Sequence, residues 1–379
     1  MITQKANEIT PFIVMEVLEK AAEMERRGIN VVHLEVGEPD FDVPPCVSEA
    51  VAKAFAEGRT HYTHSLGDPE LREEIAKRYL NIYGVKISPD QIIVTSGSSP
   101  AILLTLGVLC DVEDEVIISD PGYACYANFI RFLNAKAIKV PVYEEDGFQY
   151  RPSEIEKRIS RRTKAIMINS PMNPTGNLLS GDVMKELLKF NIPIISDEIY
   201  HGLVYEGRAH SILEFTEKAF VLNGFSKLFA MTGLRLGYVI APKHCVRPMQ
   251  KLQQNLFICA GSTEQRAGIA ALQSAGNDVA KMKETYNQRR NYIIERLTQL
   301  GFDIKVPPTG AFYVFVNVKQ ISTDSYALAF DILEKAHVGV TPGIDFGENG
   351  EGFLRFSYAN SIENITEGMN RLEKYLKML

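Results

Sequence analysis

Clustered positive charge is what this chain most plainly lacks. Its 379 residues carry 41 Lys and Arg against 47 Asp and Glu, a formal net charge of −6. Phosphate backbones are held by grouped basic side chains, so the balance argues against nucleic acid and for a small-molecule partner. Cysteine is scarce as well: Cys46, Cys110, Cys125, Cys245 and Cys259 are an odd number without a C-x-x-C pair. The residues after Met1 (Thr3, Gln4, Lys5) are polar and do not resemble a signal peptide, so a cytoplasmic, reducing setting is expected. Long apolar runs are missing. The longest, residues 101–110, is broken by Thr105 and Gly107 and is about half of what a bilayer requires, so no membrane span is expected. No repeat, low-complexity tract or Pro/Ser-rich linker occurs, which leaves any domain boundary in ordinary loops.

What is present describes an ordinary globular chain, 45% hydrophobic and 23% charged, of a length that suits two linked domains. An amphipathic helix over 11–27, stopped by Gly28, precedes a short strand over 31–36 and the turn Gly37–Phe41. A helix over 44–57 follows, then another opened by Asp68 as N-cap with Pro69 at its first position and ended by Gly84. From residue 91 the pattern changes to short uninterrupted apolar runs between helical stretches: 91–95, 115–119, 137–142, 164–169, 194–196, 219–222 and 236–241. Runs without polar alternation predict a sheet covered on both faces, hence an α/β fold with a mainly parallel seven-stranded sheet. Helices are expected over 243–257, 263–275 and 277–300, and then strands over 311–318 and 353–357 with helices over 325–336 and 362–376. The expected division is a large domain over 41–276 and a smaller α/β domain, made by the N-terminal arm (1–40) and the C-terminal part (277–379).

Chemistry is expected at the carboxyl ends of the sheet strands. In NGFSKLFAMTGLRLGY (223–238), Gly224 lets the backbone turn, Lys227 stands where a strand becomes a loop, and Arg235 lies between Gly233 and Gly237. Such a pair could hold a phosphorylated aldehyde; a surface lysine with a structural arginine is the other reading, and this stretch alone leaves both open. Gly97, Ser98 and Ser99 stand between a strand and a helix, where backbone N–H groups bind phosphate, although a plain turn reads the same. DPGYACY (120–126) puts Tyr123 at a strand tip, able to cover a planar ligand or simply to pack. NSPMNPTG (169–176) is more specific, because two prolines and a glycine fix the loop that presents Asn173. SDEIY (196–200) places Asp197 at a strand end with Tyr200 one helical turn on, and a buried carboxylate there needs a cationic partner. His61 and His64 have no third ligand nearby, so no metal is expected.

These words fall in an order that resembles one family over essentially the whole chain, the class I/II aminotransferases, pyridoxal phosphate enzymes of fold type I. The shared stretches are GEPDF (37–41), YTHSLGDPELR (62–72), NPTG, SDEIY, SK with an arginine eight residues after Lys227, PTGAFY (308–313), PGIDFG (342–347) and RFSYA (355–359). Any one is only a hypothesis; eight in sequence are not chance. The resemblance implies pyridoxal 5′-phosphate as cofactor and Lys227, Asp197 and Tyr200 as catalytic residues, with Lys227 forming the aldimine and then shuttling the proton between Cα and the cofactor's C4′. Asp197 would hold the pyridine nitrogen protonated, and Tyr200 and Asn173 would contact the ring's phenolic oxygen. Tyr123 would stack on the ring, while Ser98, Ser99, Ser226 and Arg235 would take the phosphate. Tyr62 would reach that phosphate from a neighbouring subunit, which implies a homodimer with active sites at the subunit interface. Arg355, with Asn173 and Gly37, would grip the substrate carboxylate.

The implied activity is an exchange of amino and keto groups between an amino acid and a 2-oxo acid, through a pyridoxamine phosphate intermediate. A C–S β-lyase on the same fold is the alternative, and a cofactor-binding regulatory domain is a further one, disfavoured because the chain has no room for a DNA-binding module. Residues 12–15 read equally as core or as pocket wall. Some aspartate-selective relatives carry a lysine where this chain has Ser99, followed by Pro100. Without that cation a second carboxylate would be desolvated unpaired, so a neutral substrate, aromatic or aliphatic, is expected, with glutamate or alanine as counter-substrate.

Overall fold

A computed structural model describes residues 2–379; Met1, the first residue of the expected N-terminal arm, lies outside them. Twelve strands are found among the described residues: β1 (Val32–His33), β2 (Ile92–Thr95), β3 (Glu115–Asp120), β4 (Lys136–Pro141), β5 (Thr163–Asn169), β6 (Ile194–Asp197), β7 (Phe220–Gly224), β8 (Gly237–Ile240), β9 (Tyr313–Asn317), β10 (Val338–Gly339), β11 (Thr341–Pro342) and β12 (Phe353–Ser357). Seven form one sheet in the order β2-β8-β7-β6-β5-β3-β4. Only β8 runs antiparallel to its neighbours.

The apolar runs explain this sheet directly. Successive side chains point to opposite faces, and both faces are covered. Thus Ile92 and Val94 join one core with Ile117, Ile166, Ile168, Ile194 and Val221. Ile93 joins a second with Val116, Ala165, Met167, Ile195 and Leu222 on the other side. The carboxyl ends of β2, β3, β5, β6 and β7 therefore open on one edge, where Asp197 closes β6 and the segments that follow the other strands carry Ser98, Tyr123, Asn173 and Lys227.

Facing that edge is a smaller unit. Its three-stranded sheet, β11-β12-β9, is antiparallel, and β1 pairs in parallel with β10. The N-terminal helix Ile13–Arg26 has no cap from its own preceding side chain. Asp345 accepts instead from the N–H groups of Ile13 (2.9 Å) and Val14 (3.3 Å), fastening the arm to the C-terminal part. The short segment before it is held to the large-sheet side, where Lys5 Nζ donates to the Phe132 carbonyl at 2.8 Å.

The strand expected over 31–36 is shorter than the sequence pattern suggests. Leu34 still donates to the Gly339 carbonyl at 3.0 Å, but the Glu35 carbonyl leaves the ladder to accept from Thr341 and Arg355. No helix among the described residues is long and apolar enough to cross a membrane.

Candidate active site

The strand-end loops and the smaller unit enclose a cavity of about 320 Å³. It is lined by Gly37, Ser98, Ser99, Tyr123, Asn173, Asp197, Tyr200, Ser226, Lys227, Arg235 and Arg355, so every expected site residue but Tyr62 is brought together. Tyr62 is 80% exposed in the single chain and takes no part in this lining.

At one end, the helix Ser98–Leu109 begins without a side-chain cap, leaving its first N–H groups free to bind an anion. Gly97 precedes it at φ +92°, where a side chain would be strained and its Cβ would meet the Arg235 guanidinium at 2.7 Å. The cation thus lies directly against the turn. Gly237 is needed for the same closeness, since a Cβ there would stand 2.8 Å from the Ser98 nitrogen.

At the middle, Lys227 Nζ donates to the Gly37 carbonyl at 2.7 Å. Burial pushes its pKa down to about 8, with Arg355 and Arg235 adding to the shift and Glu38 opposing it. A good fraction of this amine is therefore neutral, and nucleophilic, near physiological pH. Asp197 is 5% exposed, and burial pushes it up to about 6 against the hydrogen bonds that favour its charge. A carboxylate buried at this strand end is expected to have a cationic partner. Among the described residues it forms no ion pair; the Tyr126 hydroxyl donates to it at 2.6 Å and the Ile199 N–H at 3.1 Å. The place of a cation is thus left to a ligand.

At the other end Arg355 is 2% exposed and has no carboxylate within ion-pair distance among the described residues. It donates to Asn173 Oδ1 (2.9 Å), the Glu35 carbonyl (2.5 Å) and Thr341 Oγ1 (3.1 Å), and lies over the rings of Tyr313 and Phe346. Its Nε is left without a partner. A buried cation held by neutral groups is an anion receptor. Phe12, Val14, Met15 and Leu18 line the wall beside it, and the Phe12 ring meets that of Tyr123 edge-on at 6.1 Å. Residues 12–15 thus contribute pocket wall.

Several lining residues were not singled out from sequence: Tyr126, Asn169, Tyr313, Glu38 and Thr232. Asn169 accepts from the Asn173 N–H (2.8 Å) and donates to the Asp197 carbonyl (3.0 Å), so it ties the Asn173 loop to β6. Tyr126 and Asn169 stand inside DPGYACY and NSPMNPTG, which marked the stretch without marking the residue. The Thr232 hydroxyl donates to Glu38 and ties the GEPDF turn to the lysine loop. Two distant sequence positions are joined there, and nothing local could have paired them.

An anion cradle, a buried carboxylate lacking a cation, and a depressed lysine between them fit pyridoxal 5′-phosphate in its three reactive parts: phosphate, ring nitrogen and aldehyde. Comparison with known proteins agrees. Residues 29–372 match the family model described as aminotransferase class I and II. The chain is 43% identical to a (5-formylfuran-3-yl)methyl phosphate transaminase of Methanocaldococcus jannaschii, over 99% of this chain and 100% of that one. It is 41% identical to an aspartate aminotransferase of Pyrococcus horikoshii, over 96% and 94%. A crystal structure from Methanococcus jannaschii, described as similar in its active site to kynurenine aminotransferases, superposes with a TM-score of 0.92 at 41% identity, covering 99% of this chain and 100% of that one. The chain belongs to the class I and II aminotransferases, enzymes of fold type I that use pyridoxal phosphate.

Proposed function

We propose that this aminotransferase acts on a neutral amino acid, aromatic or aliphatic, and a 2-oxo acid, at the cavity between the large sheet and the smaller unit. The observation that carries the reading is the content of that cavity: among the described residues its cationic side chains are Lys227, Arg235 and Arg355, and each already has a task. Arg235 lies at the phosphate turn, Lys227 at the reacting centre, and Arg355 is the receptor for one carboxylate. Ser99 supplies a hydroxyl where a second carboxylate would need a charge, and apolar Phe12, Met15 and Leu18 complete the wall.

When bound, the cofactor supplies a sink for the electron pair left when the Cα proton departs. The chain's own groups do the rest. Ser98, Ser99, Ser226 and Arg235 would hold the phosphate, and Tyr123 would cover the ring. Asp197 would take the ring nitrogen, where its carboxylate would favour the protonated form. Tyr200 and Asn173 offer hydrogen-bonding groups to the phenolic oxygen. Lys227, partly neutral, would hold the aldehyde and, once freed by the substrate amine, would carry the proton from Cα to the cofactor's aldehyde carbon. Arg355, with Asn173 and the Gly37 backbone, fixes the substrate carboxylate and so the bond to be broken.

Exposed Tyr62 suits a role across a homodimer interface, contributing to the partner's phosphate site. The division into an N-terminal arm (1–40), a large domain (41–276) and a C-terminal domain (277–379) follows the same reading. A flat ring with an anionic arm, of the kind named for the furan phosphate transaminase, is a second reading, favoured by the same pairing of Arg355 with an aromatic wall. Incubating the cofactor-loaded enzyme with phenylalanine and no acceptor tests the reading. Conversion of the cofactor to its amine form, about once per site, is the expected result; release of ammonia and pyruvate from cystathionine would indicate elimination instead.

A further inference from the structure

We propose that Tyr313 is a positioning residue that couples the two ends of this site, its hydroxyl directing Tyr200 and its ring face backing Arg355. The proposal rests on the cofactor reading above. Tyr313 opens β9 and pairs with Ser357, whereas Arg355 pairs with Phe315. Residues two apart on adjacent strands share a face, so Tyr313 and Arg355 are diagonal neighbours on the face turned to the cavity. The guanidinium carbon sits 4.3 Å from the Tyr313 ring centroid, close enough for a cation–π contact in a site shut off from bulk water.

The hydroxyl has a separate task. Tyr313 and Tyr200 are both buried, and their hydroxyl oxygens are 2.8 Å apart. Only one proton can lie in that contact. On its other side the Tyr313 hydroxyl is closed in by the Gly37 backbone, where a Cβ would stand only 2.2 Å away. Either hydroxyl can be the donor in that contact, but once the Tyr200 proton is given to the ring's phenolic oxygen of a bound cofactor, the proton shared between the two tyrosines must come from Tyr313. A hydroxyl that accepts one hydrogen bond becomes a better donor of its own. Tyr200 is therefore held as a donor toward the ring's phenolic oxygen, which favours the deprotonated form of the bound cofactor at lower pH.

Two variants separate the two tasks. Tyr313→Phe keeps the ring and removes the hydroxyl; Tyr313→Leu removes both. The readouts are the pH midpoint of the visible absorbance of the cofactor-loaded protein, and the affinity for 3-phenylpropionate, a carboxylate that cannot react. For Tyr313→Phe the midpoint rises by about one pH unit, the size of one lost hydrogen bond, while 3-phenylpropionate binds within about twofold of wild type. For Tyr313→Leu the midpoint shifts as much, and 3-phenylpropionate also binds about tenfold more weakly. An unmoved midpoint in Tyr313→Phe, or equal probe affinity in the Phe and Leu variants, would overturn the proposal. Tyr313→Met replaces the leucine variant if that fails to fold. A wild type without any pH-dependent visible absorbance would overturn the cofactor reading itself, and the proposal with it.

Discussion

The two ends of the cavity are built in different ways. The cofactor end is made by loops that leave one edge of a single sheet, each fixed by strands buried on both faces, so Ser98, Tyr123, Asn173, Asp197 and Lys227 share one rigid frame. The substrate end is assembled from Phe12, Gly37, Tyr313 and Arg355, which come from the N-terminal arm and the C-terminal strands. That end depends on contacts between distant segments, such as Asp345 capping the N-terminal helix and Glu35 giving its carbonyl to Arg355. The contrast teaches that chemistry and selectivity can change separately, because they rest on different scaffolds.

Substitutions at the two ends should therefore fail in different ways. Lys227→Ala should abolish turnover, a loss of about 10⁴-fold or more, while the phosphate cradle and Asp197 still retain cofactor noncovalently. Stopped assays beside the cofactor content after gel filtration measure both; substantial remaining activity would break the assignment. Arg355→Lys should lower kcat/KM by about 100-fold, mostly through KM, because a point charge cannot reproduce the planar fork. Cofactor content should not change, and steady-state kinetics with an absorbance spectrum would reveal it if it did.

Smaller effects sharpen the comparison further. Tyr126→Phe removes a donor that favours the charged form of Asp197, so the carboxyl pKa climbs above about 6 and more of it is neutral at pH 7. Cofactor should then bind about tenfold more weakly at pH 7, with the deficit shrinking by pH 8.5, where the carboxylate is ionised again; equilibrium titrations at both pH values check this. Glu198, its neighbour, is fully buried and accepts from Ser196, Ser211, Tyr79 and the Ile212 N–H, yet burial pushes it up to about 8. Its folded pKa lies above the ordinary carboxyl value of 4.5, so its contribution is fully present below that value and is lost as pH rises from there through about 8. In melting curves across pH, Glu198→Gln should accordingly lose less stability than wild type between about pH 5 and 8, and the two should run parallel above that.

How much of this was legible in the sequence follows the same divide. The strands of the large sheet, read from uninterrupted apolar runs, lie within a residue or two of the observed ones, because burial on both faces leaves a local signal. That Lys227, Asp197 and Asn173 stand at this sheet edge was legible, from the glycines near Lys227, the prolines around Asn173 and the strand that ends at Asp197. The partners of those groups were not. Tyr126 reaches Asp197 across 71 positions, and Tyr313 reaches Tyr200 across 113, contacts that exist only once the sheet edge closes. The strand expected over 31–36 is shorter in the structure, and the Glu35 carbonyl beyond its end accepts from Arg355, more than 300 residues away, a partner no local pattern shows.

The central claim is that the substrate end, with Arg355 as its single carboxylate receptor and an apolar wall beside it, selects neutral amino acids. It is tested most directly by kcat/KM for phenylalanine, leucine and methionine beside aspartate, under one oxo-acid acceptor, in wild type and in Ser99→Lys. At least one neutral amino acid should lead aspartate by about tenfold or more in wild type, and the lysine should narrow that gap through a new partner for the second carboxylate. A clear lead for aspartate in the wild-type enzyme would contradict the account and require a cation that the single chain does not bring to this cavity.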